Sequence, residues 1–349
     1  MSNESQFSRR RFVALGTLAA LAGCSGGEDT SNSDSDGSTT DTATTTGDGV
    51  SDTPASDDDA ASEEDAGSQS ATVKLGEVVE GDNLSMVARE TSTTTQLGEF
   101  QEAGNGNEFV VIRLAVKNTS DSFIDFSSFW QTRLKDSENT VYDPTFGATA
   151  HPFDGGSLAP GEVSRGDVVY EVPKNAEGLN MQFDFSTFDL FSFERVVINL
   201  GQEASSISNL SQDLDVDILS PGDSASKNGV KATVHGVRTE SQLGEMAQPD
   251  EGNEYVIPDI EITNNTDEAL TVSTLLQMRI KTGTGLSYTA DTMGSSALDQ
   301  SYKQGSDIAP GEARRGELAF QVEEGVEPLY FIFDFLDLAD SYKAFWELR

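Results

Sequence analysis

Hydrophobic and polar residues alternate with a period of two through much of the chain after residue 72. In residues 109–116 one register is wholly apolar and the other is mixed, and residues 168–172, 181–185 and 196–200 alternate in a similar way. This pattern is typical of strands with one face buried against a second sheet. No long stretch follows a helical period, and only residues 334–346 offer a short helical turn. The sequence therefore predicts an all-β fold.

An internal repeat organises this pattern into two copies. An offset of 146 residues aligns the Gly-Asn-Glu segment at 106–108 with the one at 252–254, and an offset of 150 aligns the Ala-Pro-Gly-Glu turn at 159–162 with the one at 309–312. A unit of about 130 residues that occurs twice is a duplicated domain. The runs and turns predict about seven short strands per copy, in two tandem immunoglobulin-like antiparallel β-sandwiches.

The first residues have the features of an export signal. The apolar stretch 12–23 is far shorter than the roughly 20 residues of a membrane-spanning helix, so it is typical of a secretory signal. Arg9 and Arg10, followed by Phe12, resemble the signal for twin-arginine export, which passes folded proteins across a membrane. The resemblance implies that the protein acts outside the cell membrane.

Residues 21–24, with the sequence Leu-Ala-Gly-Cys, resemble a lipobox. In that family the bond before the cysteine is cut and its sulfur receives a lipid, so the resemblance implies that Cys24 anchors the chain in membrane lipid. The alternative is that Cys24 is an unmodified residue. From residue 25 to about residue 70 the chain is almost entirely small or acidic, with Val50 its only large apolar residue. This composition predicts a disordered tether.

Five segments follow from these observations. We expect a signal peptide at 1–23, a lipidated cysteine and tether at 24–71, a first sandwich at 72–201, a linker at 202–213 and a second sandwich at 214–349.

Several motifs in each copy resemble one family. They are a Gly-Asn-Glu-Phe strand opening at 106–109, an Asn-containing turn at 117–121, a strand ending in Arg-x-Lys at 133–135 and the Ala-Pro-Gly-Glu turn at 159–162. Together they resemble the telokin-like, immunoglobulin-like domain of unknown function found in prokaryotic surface lipoproteins. The resemblance implies an extracellular interaction or accessory module and supplies no catalytic residues.

The second copy departs from the first at two strand positions. Pro258 enters a predicted strand, which implies an edge strand or a bulge because proline lacks the N–H that a central ladder needs. Glu323 stands where the first copy has Pro173. These differences affect the expected strand boundaries and not the fold.

Composition excludes several classes of function. The chain has 60 acidic and 22 basic residues, a net charge of −38, which argues against nucleic acid as a partner because phosphate recognition uses Lys and Arg. One cysteine permits no intrachain disulfide and no cysteine-based zinc site. Two histidines, His151 and His235, exclude a multi-histidine metal centre, and no Gly-x-Ser-x-Gly motif occurs after the expected signal peptide at 1–23. The sequence indicates no cofactor, no resident metal and no enzyme.

Acidic residues near the ends of apolar runs leave a weak calcium site as an alternative to chance clustering. These residues are Asp184, Asp189, Asp334, Asp337 and Asp340.

An aromatic run in the first copy has two interpretations. The run consists of Phe123, Phe126, Phe129 and Trp130, and apolar residues replace it in the second copy. Apolar replacement at equivalent positions favours core packing. The alternative is an exposed patch that binds a surface protein or a glycan.

Four Asn-x-Ser/Thr sequons are candidate glycosylation sites. They begin at Asn83, Asn118, Asn209 and Asn264. Asn118 and Asn264 occupy the same place in the repeat, so the alternative is that asparagine is simply favoured in that turn.

The acid excess also bears on habitat and function. The acidic side chains of so negative a surface repel one another unless salt screens their charges. We therefore expect a protein of an extreme halophile that needs high salt to stay folded. The favoured function is a non-enzymatic, membrane-anchored binding or accessory module at the cell surface. The alternative is a substrate-capturing lipoprotein that serves a transporter or a surface hydrolase. A deep pocket between the domains would favour capture, and two convex sandwiches would favour the interaction module.

Overall fold

A computed structural model describes residues 70–184, 195–244, 247–336 and 341–349. Strands dominate this part of the chain, and its three helices have only four or five residues each. The export signal at Arg9, Arg10 and Phe12, the lipidation site at Cys24 and the tether up to residue 69 lie outside the described residues. Within them, none of the helices has the length and apolar character to cross a membrane.

The first domain contains strands β1 to β14 and helix α1 (Ser128–Gln131). The strands are β1 (Ser70–Leu75), β2 (Val79–Glu80), β3 (Leu84–Thr94), β4 (Gln96–Leu97), β5 (Gln101–Glu102), β6 (Asn107–Asn118), β7 (Ile124–Phe126), β8 (Thr132–Lys135), β9 (Val141–Tyr142), β10 (Pro144–Thr145), β11 (Gly156–Leu158), β12 (Val163–Pro173), β13 (Asn180–Asp184) and β14 (Arg195–Glu203). They form two five-stranded sheets, ordered β1-β14-β13-β8-β9 and β10-β12-β6-β3-β2, and two ribbons, β11-β7 and β4-β5.

The second domain repeats this plan. Its elements are β15 (Ile218–Leu219), β16 (Ser224–Lys227), β17 (Val230–Glu240), β18 (Asn253–Asn264), α2 (Thr274–Gln277), β19 (Met278–Thr282), β20 (Ser287–Tyr288), α3 (Thr292–Ser296), β21 (Ala313–Glu317), β22 (Phe320–Glu323), β23 (Leu329–Asp334) and β24 (Lys343–Glu347). One sheet is ordered β15-β24-β23-β19-β20 and the other β16-β17-β18-β21, with β22 also paired to β18. Most pairings in both domains are antiparallel, so the predicted all-β fold of two tandem sandwiches is confirmed.

Each domain has its own hydrophobic core between its two sheets. In strand β6 the apolar register of Val110, Ile112, Leu114 and Val116 is buried in the first core. The second core is built from the equivalent strands and includes Trp346. Burial of one large apolar side chain contributes about 1.5–3 kcal/mol, so each core stabilises its own domain.

Gly166 and Gly316 show why an Arg-Gly pair recurs in both copies. A Cβ atom at Gly166 would lie 2.5 Å from the backbone of Phe153, and one at Gly316 would lie 2.5 Å from the backbone of Tyr302. In each domain a loop crosses directly over the strand at this point. Only glycine permits so close an approach of two backbones.

Pro258 lies in the central strand β18 and not at an edge, so the edge alternative is wrong, while strand β17 has a bulge between Val234 and Gly236, next to the Val237 that faces Pro258. The strand on the other side is interrupted, between β21 and β22. Leu318 donates its N–H to the Pro258 carbonyl, and proline has no N–H to return. In the first domain Ile112 faces Val168 in the unbroken strand β12.

Two further expectations about local structure differ from the observed fold. The helical turn expected within residues 334–346 is wrong at its carboxyl end, because Lys343–Glu347 forms strand β24 with Trp346 in the core. Strand β1 begins at Ser70, two residues before the predicted domain start, and β14 continues to Glu203.

Candidate functional site

The turn at residues 159–162 of the first domain packs against the outer face of a sheet of the second domain. Glu162 is fully buried there, and its carboxylate lies 2.5 Å from Nζ of Lys281 on β19 and 3.3 Å from Nζ of Lys343 on β24. The Ala159 N–H donates to the same carboxylate. The turn therefore places one buried carboxylate under two ammonium groups of the next domain.

The charges of this contact are mutually stabilised. Burial alone would raise the pKa of Glu162, but Lys281 and Lys343 outweigh it and lower the pKa to about 2. Burial lowers the pKa of Lys281, and Glu162 opposes that shift. Glu162 is accordingly ionised at any physiological pH, and a buried pair of this kind is costly to break from one side.

Apolar side chains and the chain between the domains surround the ion pair. Ala159 packs with Ile332 and Phe345 of the second domain, and the partly buried Leu214 and Val216 join this cluster. Residues of the predicted linker also hydrogen-bond to both domains, as when the Arg165 guanidinium donates to the Leu210 carbonyl and the Gln212 N–H donates to the Gly283 carbonyl. These contacts fix the domains against each other.

A cleft of about 560 Å³ lies beside this interface, lined by both domains. On one wall the Asp154 carboxylate accepts from Arg279 Nε at 3.0 Å and from Ser287 Oγ at 3.1 Å. On another wall His151 meets Tyr288 edge to face, with ring centroids 5.6 Å apart. The cleft thus has the size and mixed lining typical of a small-molecule site.

Burial shifts the pKa values of two titratable groups of the cleft, His151 and Tyr288. Burial lowers the pKa of His151, and the charge of Arg113 lowers it further. Burial raises the pKa of Tyr288 to about 12. His151 Nδ1 and the Tyr288 hydroxyl have no hydrogen-bond partner among the described residues. Both atoms are buried, so neither is accessible from the open volume of the cleft.

The second histidine and the acidic residues are placed elsewhere. His235 lies on β17, with Nε2 3.4 Å from the Glu261 carboxylate. Across the residues that the structure describes, no three or more His, Cys, Asp or Glu side chains are grouped to hold a metal ion. Of the acidic residues considered for calcium, Asp189, Asp337 and Asp340 lie outside that part of the chain.

The aromatic run of the first domain divides into two parts. Phe126 is buried in the core, so core packing is the correct interpretation for that residue, whereas Phe123 is partly buried in the interdomain cluster around Ala159. Phe129 and Trp130 lie on helix α1, where Phe129 is half-buried and the Trp130 side chain is 74% exposed. The predicted patch therefore contains only the second pair.

A residue that the sequence analysis did not single out completes this surface. Phe146 is 83% exposed, and its ring stacks on Phe129 with centroids 5.4 Å apart. Phe129 in turn meets Trp130 edge to face at 5.1 Å. We call Phe129, Trp130 and Phe146 the aromatic patch. The sequence feature that could have identified Phe146 is its position as a large apolar residue in a turn, directly before Gly147.

The second domain also exposes apolar residues, two of them at the positions equivalent to Phe129 and Trp130. Leu275 and Leu276 on helix α2 are 63% and 56% exposed, and Met293 on α3 is 66% exposed. Both copies therefore expose large apolar side chains on the short helix that precedes β8 or β19.

Burial contradicts the glycosylation predicted at two sequons. Asn118 is fully buried, and its Nδ2 group donates to the carbonyls of Ser122 and Leu158. Asn264 is buried in the same way. A glycan would need that nitrogen at the surface, so these residues are turn residues instead.

The other two sequons stay predictions. Asn83 is half-buried, and Asn209 is exposed, with its carbonyl oxygen accepting from Arg89 and Arg165.

Comparison of the sequence with curated proteins found no match. A family described as a domain of unknown function, DUF4352, matches twice, at residues 73–190 and 220–341.

Solved structures give distant similarities. An uncharacterised β-sandwich protein of Clostridium difficile is 15% identical, with a TM-score of 0.29 over 38% of this chain and 95% of that one. The YjhA protein of Bacillus subtilis is 15% identical, with a TM-score of 0.31 over 36% and 98%. A secreted protein of Mycobacterium tuberculosis, MPT63, is 14% identical, with a TM-score of 0.30 over 38% and 98%.

Proposed function

Because the chain belongs to the DUF4352 family, with two tandem copies of that domain, we propose that it is a non-enzymatic accessory protein of the cell surface that binds a surface protein or a glycan. Export through the signal at Arg9 and Arg10 and lipidation of Cys24 would anchor it on the extracellular face of the membrane. The acidic tether would hold the two sandwiches near that surface.

The exposure of the aromatic patch carries this proposal. Trp130 and Phe146 leave most of their apolar surface in water, although a folded domain usually buries such residues. Exposed, clustered aromatic side chains are the residues that most often dominate the affinity of protein interfaces. In the molar salt that we propose as the habitat, surface charges are screened while apolar burial is strengthened, so an aromatic contact suits that medium.

The interdomain contact supports a role in presentation. The buried ion pair between Glu162 and Lys281 fixes the two domains, so the aromatic patch and the Leu275–Leu276 pair keep a constant separation. A partner with two matching sites would then bind without first ordering the domains, which reduces the entropy cost of binding.

Affinity capture from detergent-solubilised membranes in molar salt tests the proposal. The bait is the full chain, compared with a Trp130→Ala, Phe146→Ala double variant. A second double variant, Val141→Ala and Ile207→Ala, removes exposed apolar residues outside the patch. We expect the partner to be retained by the parent and the second variant and lost from the first. Equal retention by all three would reject the aromatic patch as the binding surface.

The interdomain cleft favours a second candidate function, capture of a small polar molecule for a transporter or a surface hydrolase. Its supporting observation is a volume of about 560 Å³ with aromatic and polar groups of both domains in the lining. Met293→Trp at the cleft rim would obstruct entry, and it leaves the aromatic patch unchanged. Loss of solute binding, measured by calorimetry, would support capture, and retention would reject the cleft as the site.

A further inference from the structure

The same turn is buried in one domain and free in the other. Residues 159–163 are all buried, because the turn of the first domain packs on the second. Residues 309–313, the equivalent turn of the second domain, are all exposed. We call this exposed segment the free plug.

The free plug already has the docked conformation. Gly161 and Gly311 have φ values of 75° and 77°, which favour glycine at this point of the turn. The Glu162 N–H donates to Ala159 in one turn, and the Glu312 N–H donates to Ala309 in the other. The free plug would therefore lose little conformational entropy if it docked.

Among the described residues, a matching surface of the first domain remains accessible to solvent. The docked turn contacts Lys281, Ile332, Lys343 and Phe345 of the second domain. Strand register places Lys135, Gln182, Arg195 and Val197 at the same positions of the first domain. All four are half-buried or exposed. We call these four residues the free socket.

The free socket has two positively charged side chains, as does the surface of the second domain that holds Glu162. Lys135 on β8 and Arg195 on β14 replace Lys281 and Lys343, so two cations again flank the strand between them, here β13. Asp184 faces Arg195 across the strands, just as Asp334 faces Lys343. The exposed carboxylate of Glu312 is thus complementary to a surface that resembles the one holding Glu162.

We propose that the free plug of one molecule docks in the free socket of a second copy, through an ion pair of Glu312 with Lys135 and Arg195. The contact joins different surfaces of the two molecules, so each dimer retains one free plug and one free socket and can grow head to tail. Gln182 and Val197 replace the apolar Ile332 and Phe345, and no linker spans the joint. The association is therefore weaker than the internal contact and reversible.

Sedimentation velocity in molar salt, over a wide range of protein concentration, tests this arrangement. The full chain carries Cys24→Ser, which removes the predicted lipid anchor and leaves residues 70–349 unchanged. We expect the mean mass to rise with concentration. Glu312→Lys and Lys135→Glu should each weaken association more than about 30-fold, because each leaves like charges facing across the joint. Glu324→Lys makes the same charge change at another exposed site and should associate like the parent.

Mixing the two defective variants distinguishes head-to-tail growth from other modes. The Glu312→Lys chain retains a working socket and the Lys135→Glu chain a working plug, so the mixture should regain the association that each variant alone has lost. The second joint of the mixture pairs the charge-reversed plug with the charge-reversed socket, so species larger than a dimer are also expected. A parent that stays monomeric at every concentration would overturn the proposal. So would Glu312→Lys chains that associate like the parent, because the socket would then hold another occupant, such as the acidic tether.

Discussion

Glu162 and Glu312 each follow an Ala-Pro-Gly segment, but Glu162 is buried and Glu312 is exposed. Replacement of Glu162 by Gln leaves Lys281 and Lys343 in a buried site without a compensating charge. We expect Glu162→Gln to lower the free energy of unfolding by about 3–5 kcal/mol. Glu312→Gln, at the exposed turn, should change it by no more than about 0.5 kcal/mol. Urea unfolding in molar salt measures both, and equal effects would contradict the assigned role of Glu162.

The same carboxylate predicts a dependence on pH. The pKa of Glu162 is lowered from 4.5 to about 2, so its ionised form stabilises the fold above about pH 4.5, and this contribution disappears as the pH falls toward 2. The difference in unfolding free energy between the parent and Glu162→Gln should therefore be constant from pH 7 to about 4.5 and shrink below it. A difference that grew on acidification would have the wrong sign.

Asn118 illustrates a polar residue that the fold requires. Its Nδ2 group donates to two carbonyls, and its oxygen accepts from the Ser120 N–H. Asn118→Asp would turn an oxygen toward those carbonyls, and we expect a loss of about 2–4 kcal/mol. Asn105→Asp, in an exposed loop, is the matched control and should be nearly neutral. Intact-mass spectrometry should also find no glycan on Asn118, and a glycan there would contradict its burial.

At the level of the strand, Pro258 is the residue that makes the two copies differ. Pro258→Ile would supply a backbone N–H that can donate to the Leu318 carbonyl, and it would restore the residue type found at Ile112. We expect a gain of about 1 kcal/mol in unfolding free energy, and slow hydrogen exchange at residue 258. The reverse change, Ile112→Pro, should cost about 3 kcal/mol or more. A loss of stability in Pro258→Ile would show that the break has another cause.

Period-two alternation predicted the strands well where a run is long and one face is buried. Residues 109–116 are such a run, and they lie in β6 with the apolar register in the core. The alternation could not identify β24, because residues 343–347 form too short a run to separate a strand from a buried helical segment. It also could not separate Phe126 from Trp130, because the four-residue helix α1 reverses the register between them.

At the level of the whole molecule, sequence and structure differ most where one domain covers the other. The Ala-Pro-Gly-Glu motif marks both turns equally, and only the packing of the domains decides that the first is buried. The cleft at His151 and Tyr288 likewise joins residues far apart in sequence that no local pattern relates. Sequence reasoning could therefore predict the two domains, but not which aromatic residues of the run stay exposed, nor the surfaces formed between domains.

Net charge gives the prediction that belongs to the molecule as a whole. With a net charge of −38, the negatively charged side chains repel one another. The screening length that limits this repulsion is about 8 Å at 0.15 M salt and about 3 Å at 1 M. Self-repulsion is relieved when a compact chain expands, so low salt should favour the unfolded state. The buried pair at Glu162 and Lys281 is shielded from solvent ions and should respond less to the salt concentration.

Because low salt favours the unfolded state, we expect dialysis from molar to about 0.1 M NaCl to lower the unfolding midpoint and abolish the β-sheet circular dichroism signal. Return to molar salt should restore it. An equimolar exchange of NaCl for KCl, which preserves ionic strength, is the control. An unchanged midpoint at low salt would mean that the cores alone suffice and that the acid excess serves solubility.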